Sequence, residues 1–214
     1  MTRTLFFDLD GTLTNPATGI TRSIAHALEQ MGHEPPPLDD LRRFIGPPLW
    51  HSFAELLGTD DRRELDRAVG LYRERFGDVG LFENEPYDGI HDVVETLRTA
   101  GHRTFVVTSK PTVYATRIVE RFGLLPLFER VYGSELSGVN ADKRDLVRYV
   151  LADVGCDPPT TWMIGDRAHD VRGGRTNGTR TMGVLWGFGS ADELRSAGAD
   201  VLVASLGELP SAVN

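Results

Sequence analysis

The chain has 214 residues, 40% hydrophobic and 25% charged, with a formal net charge of −8. That length suits one domain, or one domain with a smaller insert, and it supplies enough apolar sequence for an ordinary core. The acidic balance argues against nonspecific binding to nucleic acid or to an anionic membrane, and an anionic substrate would need locally concentrated positive charge.

Arg3–Leu9 reads as a buried strand, and its apolar run passes into Asp8-Leu9-Asp10-Gly11-Thr12. Residues i and i+2 of a strand face the same side. Asp8 and Asp10 therefore converge at the strand's carboxyl end, the ligand crevice of an open α/β sheet. Carboxylates that close repel unless a cation or a shared proton relieves them. The pair suits a Mg2+ site in which one carboxylate is the nucleophile and the other the acid/base. The plainer reading is a strand that ends in an Asp-Gly turn.

After Asn15 the pattern becomes helical. Ile20, Ile24, Leu28 and Met31 predict one helix stopped by Gly32, and Pro35-Pro36-Pro37 makes a rigid break. Leu49, Phe53, Leu56 and Leu57 predict a second, and Leu65, Val69, Tyr72 and Phe76 a third. No convincing strand lies between Thr14 and Glu85, and Glu85–Gly89 reads as a return linker. From Ile90 onward helical stripes alternate with β-rich runs at Thr104–Thr108, Val131–Gly133, Thr161–Ile164, Thr181–Leu185 and Val201–Val203. The expected fold is α/β: a Rossmann-like, mainly parallel sheet core with a helical cap domain inserted after the first strand. The expected core spans 1–14 and 89–214, and the expected cap 15–88.

Four chemical elements fall where strands of such a sheet should end or a helix begin. They are Asp8 with Asp10, Thr108-Ser109-Lys110, Lys143, and Gly165-Asp166-Arg167-Ala168-His169-Asp170. Lys110 and Lys143 are the only two lysines in a chain otherwise supplied with arginine. Taken singly, each has a plain explanation: Thr108 and Ser109 as helix caps, Lys143 as a solvated helix residue, Asp166 as a turn. His169 carries no assigned role.

In order and context the four elements resemble the motifs of haloacid dehalogenase-like (HAD) phosphohydrolases. The resemblance spans essentially the whole chain, with the helical insert in the place of a C1-type cap. Phe44-Ile45-Gly46-Pro47-Pro48-Leu49 and the Gly-Asp-Arg-x-x-Asp form look like the phosphoglycolate phosphatase/5′-nucleotidase branch. The resemblance implies a Mg2+-dependent phosphomonoesterase acting on a small-molecule phosphate ester. Asp8 would form an aspartyl-phosphate, and Asp10 would protonate the leaving group and then activate water. Mg2+ would be held by Asp8, the main-chain carbonyl of Asp10, and Asp166. Thr108, Ser109, Lys110 and Lys143 would bind the phosphate, with Lys143 neutralising charge on the nucleophile. Asp170 would support the metal shell or orient Lys143. Arg43 and Gly46 are candidate specificity residues in the cap.

A 5′-nucleotidase and a phosphomutase of the same fold remain alternatives. A catalytically retired regulatory module fits less well, because Asp8, Asp10, Lys143 and Asp166 are all retained. No lysine lies between Asn15 and Gly89, which argues against a cap Schiff base. Cys156 stands alone, so an internal disulfide is excluded and a reducing compartment fits. No run approaches the ~20 apolar residues of a membrane span, and no signal peptide is evident. A cytoplasmic monomer or homodimer is expected, without nucleic-acid or membrane partners.

Overall fold

The computed structural model describes residues 2–213. The chain packs as two compact units: one comprises the residues up to Asn15 together with Pro86 onward, the other Pro16–Glu85. In chain order, β1 (Thr4–Phe7) and β2 (Thr14–Asn15) precede α1 (Ala17–Gln30), α2 (Leu38–Leu41), α3 (Leu49–Leu57) and α4 (Arg62–Asp78). Next come β3 (Glu85–Pro86), α5 (Ile90–Thr99), β4 (Arg103–Pro111), α6 (Thr112–Arg121), β5 (Arg130–Ser134) and α7 (Lys143–Val154). The chain ends with β6 (Thr161–Gly165), α8 (Ala168–Thr176), β7 (Arg180–Val184), α9 (Ala191–Ala197), β8 (Val201–Val203) and α10 (Leu209–Ala212).

Six of these strands form one parallel sheet in the order β5-β4-β1-β6-β7-β8. Numbered by their sequence within this sheet, the strands run 3-2-1-4-5-6, the doubly wound order of Rossmann folds. The order reverses at β1, so the crevice lies between the carboxyl ends of β1 and β6. Asp8 follows β1 and Asp166 follows β6. The remaining strands, β2 and β3, pair with each other.

Strand alternation decides which way the chemistry faces. Phe6, Phe105, Val107 and Met163 pack with Leu146, Val147, Val150 and Leu151 of α7 on one face of the sheet. The Phe6 and Phe105 rings meet edge to face at 5.9 Å. Asp8 is two residues beyond Phe6, so it points to the α7 side. The first residue of α7 is Lys143, set in place by Asp142, whose carboxylate accepts a hydrogen bond from Arg144 N at 2.8 Å.

Two expectations change here. Thr108-Ser109-Lys110 does not follow β4 but lies within it, because the strand continues to Pro111 through an irregular register between Val107 and Pro111. The residue preceding α6 is Pro111, with no side-chain cap, so Thr108 and Ser109 are not helix caps. α9 was also not anticipated; Ser190 caps it by accepting from Glu193 N.

Within the Pro16–Glu85 unit, α1, α3 and α4 pack through Ile20, Ile24, Leu28, Phe53, Leu65, Val69, Tyr72 and Phe76. Phe53 and Tyr72 are core, as their spacing predicted. Glu83 receives Arg75 through two hydrogen bonds, at 2.8 and 3.1 Å, and Arg22 at 2.8 Å. Chiefly because of the Arg75 bonds, and despite partial burial, its carboxyl titrates below the usual value. A depressed native value stabilises the fold above the unfolded-state value and is lost as pH falls through the native one. Glu83→Gln should therefore cost about 1–3 kcal/mol at pH 7. Urea melts should show this gap from wild type close as pH falls below about 4.

Candidate active site

Lys143 organises the site. Its Nζ lies 2.7 Å from Asp8 Oδ1, 2.8 Å from Asp170 Oδ1 and 2.9 Å from the Val107 carbonyl oxygen. All three ammonium hydrogens thus have acceptors, which a 5% exposed lysine requires. Burial opposes the charge, but the Asp170 and Asp8 carboxylates outweigh it and raise the lysine's pKa above its ordinary value. Lys143 therefore stays an ammonium at neutral pH.

Asp170 stands at the third position of α8, and its Oδ2 accepts from Arg167 N at 3.1 Å. Glu193 secures the same turn by accepting from Arg167 Nε at 2.9 Å and Ala168 N at 2.8 Å. Asp166 accepts from Phe188 N at 2.7 Å through Oδ2, while its Oδ1 is buried and without a hydrogen-bond partner. Carboxylate oxygens of Asp8, Asp166 and Asp170 all lie within 4.8 Å of one another. Burial, then the charges of Asp170 and Asp8, push Asp166 well above the ordinary carboxylate range. Burial likewise raises Asp170 to about 6, against the pull of Lys143.

Asp10 turns to the second lysine. Its Oδ2 is 2.7 Å from Lys110 Nζ, and its Oδ1 is buried without a partner. Burial raises its pKa, the Lys110 ammonium opposes this, and Asp8 adds to the rise. Thr108 is buried, and its hydroxyl oxygen accepts from Lys110 N at 3.3 Å. Ser109 is half-buried, and its carbonyl accepts from Ser134 Oγ at 2.8 Å.

The residues fit a divalent cation. Three buried carboxylates cluster, two of them share the one Lys143 ammonium, and Asp166 Oδ1 has no partner, a combination that is costly without further positive charge. The all-oxygen donor set suits a hard ion.

The structure brings together Asp8, Asp166, Asp170 and Lys143, and joins Asp10 to Lys110. Arg43 and Gly46 belong to the Pro16–Glu85 unit. There Arg43 is exposed, pairs with Glu55 at 2.8 Å and lies 4.7 Å from the Phe44 ring centroid, while Gly46 has φ +103°. His169 is half-buried, and burial lowers its pKa.

The sequence profile of haloacid dehalogenase-like hydrolases matches residues 5–184. The chain belongs to this family. A HAD relative from Pseudomonas aeruginosa named 5′-nucleotidase is 46% identical over 90% of this chain and 86% of its own length. A tyrosine-protein kinase, PtkA, from Mycobacterium tuberculosis is 36% identical over 98% of this chain and 72% of its own. A phosphoglycolate phosphatase from Caulobacter vibrioides is 32% identical over 98% and 90%. The crystal structure of a predicted phosphatase from Clostridium acetobutylicum superposes with a TM-score of 0.96 at 39% identity, covering 100% of this chain and 98% of that one.

Sequence reasoning did not find Phe188, whose main chain holds Asp166, or Glu193, which anchors the turn before Asp170. The signal for the first was present: Trp186-Gly187-Phe188-Gly189 follows a strand, at the same end of the sheet as every other HAD element. Glu193 carried none, because its role depends on where α9 packs.

Proposed function

We propose that the protein is a Mg2+-dependent phosphomonoesterase that hydrolyses a small phosphorylated metabolite through an aspartyl-phosphate on Asp8. The observation that carries this is the Lys143 ammonium shared between Asp8 and Asp170 beside the partnerless Asp166 Oδ1. An Asp8 oxygen attacks phosphorus, and the ester P–O bond breaks. Asp10, whose buried carboxyl holds its proton more tightly than usual, gives that proton to the leaving oxygen. Asp10 then takes a proton from water as the water attacks phosphorus, which frees Asp8 and inorganic phosphate. Lys143 keeps the nucleophile oriented and offsets charge at the transferring group. Asp8, Asp166 and the Asp10 carbonyl would hold Mg2+, with Asp170 beside them. When bound, the ion neutralises the phosphoryl oxygens. Thr108, Ser109 and Lys110 supply further donors to phosphate.

The Pro16–Glu85 unit serves as the cap that reads the leaving group, with Arg43 and Gly46 as its candidate contacts. The 46% identity to a protein named 5′-nucleotidase favours a 5′-nucleotide over phosphoglycolate as substrate. The protein works in the cytoplasm as a monomer or homodimer. Among the described residues no helix is long and apolar enough to cross a membrane.

The test is phosphate release from 5′-nucleotides, phosphoglycolate, sugar phosphates and p-nitrophenyl phosphate. Chelation with EDTA should lower release at least 100-fold, and added Mg2+ should restore it. One substrate should exceed about 10⁴ M⁻¹s⁻¹ in kcat/KM. Isomer formation without net phosphate release would indicate a mutase instead. Full activity in EDTA would remove the metal from the mechanism.

A further inference from the structure

The segment after β7 encloses Asp166 from several sides. Phe188 N holds Oδ2, as described, and three glycines lie against the same aspartate. A Cβ at Gly187 would collide with Asp166 Cβ and the Gly11 carbonyl oxygen. One at Gly189 would collide with the Asp166 carbonyl oxygen. One at Gly11, where φ is +86°, would collide with the Asp166 carboxylate and come within 2.8 Å of Phe188 Cδ2. Contacts this close admit only glycine. Trp186 Nε1 then donates to the Thr12 carbonyl oxygen at 3.1 Å, tying the segment to the loop that follows Asp8 and Asp10.

These contacts constrain several freedoms of Asp166. The Phe188 bond and the Gly11 and Gly187 contacts restrict its side chain, the Gly189 contact restricts its main chain, and the Trp186 bond fixes the distance to the nucleophile loop. With Oδ2 held by Phe188 N, Oδ1 is the carboxylate oxygen left without a hydrogen-bond partner. A turn that merely reversed the chain would not need Gly187 and Gly189 packed against one aspartate, with Gly11 of the nucleophile loop against its carboxylate.

We propose that Leu185–Gly189 is a positioning clamp that aims Asp166 Oδ1 at the cation and thereby sets metal affinity. This rests on the metal-dependent reading above. Trp186, Gly187 and Phe188 are positioning residues, acting through Asp166. Groups that hold a metal ligand in place typically change affinity 10–100-fold when removed.

The experiment is Mn2+ binding followed by electron paramagnetic resonance of the free ion, for wild type, Trp186→Phe and Gly187→Ala. Trp186→Phe keeps an aromatic ring and removes only the N–H. Both variants should bind Mn2+ about tenfold more weakly. The Mg2+ concentration for half-maximal phosphate release should rise by the same factor, with kcat at saturating Mg2+ within about twofold of wild type. If Gly187→Ala does not fold, Trp186→Phe decides alone. Folded variants with wild-type Mn2+ affinity would overturn the clamp, even with a lowered Tm, because the segment would then be structural only. Wild-type protein that bound no Mn2+ would overturn the metal-dependent reading itself, a result separable from the first.

Discussion

Asp8→Asn is expected to reduce phosphate release by about 10³-fold or more while leaving the metal-free protein at least as stable as wild type. The two outcomes share one cause. Asp8 is 6% exposed, and its charge helps to raise the pKa values of Asp10, Asp166 and Asp170. Within the buried acidic cluster it adds repulsion, offset in part by its pair with Lys143, and under the proposed mechanism its oxygen is the one that attacks phosphorus. Asparagine has the same shape, and its Oδ1 can still accept from Lys143. The substitution removes the nucleophile and some repulsion together. Phosphate release and thermal melting in EDTA check both halves. Wild-type turnover would eliminate the aspartyl-phosphate, and a large fall in Tm would mean that the carboxylate stabilises the fold.

Much of this arrangement was legible in the chain because it depends on short-range rules. The i, i+2 spacing of Asp8 and Asp10 set both at one strand end, and the alternation that buried Phe6 toward α7 also aimed Asp8 there. The two lysines stood out by their rarity, and each proved to hold one of the two aspartates of the first motif. The end of β4 misled the reading, because a strand with an irregular register continues past residues that look like a turn and caps. Strand order was not legible, since it is set by which edge each helix crosses. The use made of Asp170 was only half visible. Its place in the Gly165–Asp170 motif was read from sequence, but its bond to Lys143 requires the first turns of α7 and α8 to meet, 27 residues apart in sequence. A main-chain donor such as Phe188 N is marked in the sequence only by its setting, here the glycines Gly187 and Gly189 that flank it after a strand.

Lys143→Met should be the most destabilising single substitution in the site, and its effect should depend on pH. Methionine fills similar volume, yet Asp8 and Asp170 lose their shared counter-charge and the Val107 carbonyl loses its donor. Breaking a buried pair in this way costs about 3–5 kcal/mol at pH 7. In the wild type the lysine's raised pKa makes its contribution constant below about pH 10, since that contribution is lost only above the native value. In the variant the titrating group is Asp170. It is already pushed up to about 6 with the ammonium beside it, and it rises further when the ammonium is gone. An acid whose native pKa exceeds its unfolded value binds more protons when folded, so stability increases as pH falls. The variant should therefore recover part of its loss between pH 7 and pH 5, with Asp170 protonated and donating a hydrogen bond. Urea denaturation at the two pH values measures this directly. An equal deficit at both would mean that lost packing, and not the unpaired carboxylates, accounts for the cost. Activity should fall at least 100-fold at either pH, because under the proposed mechanism Lys143 is the charge that offsets the transferring phosphoryl group.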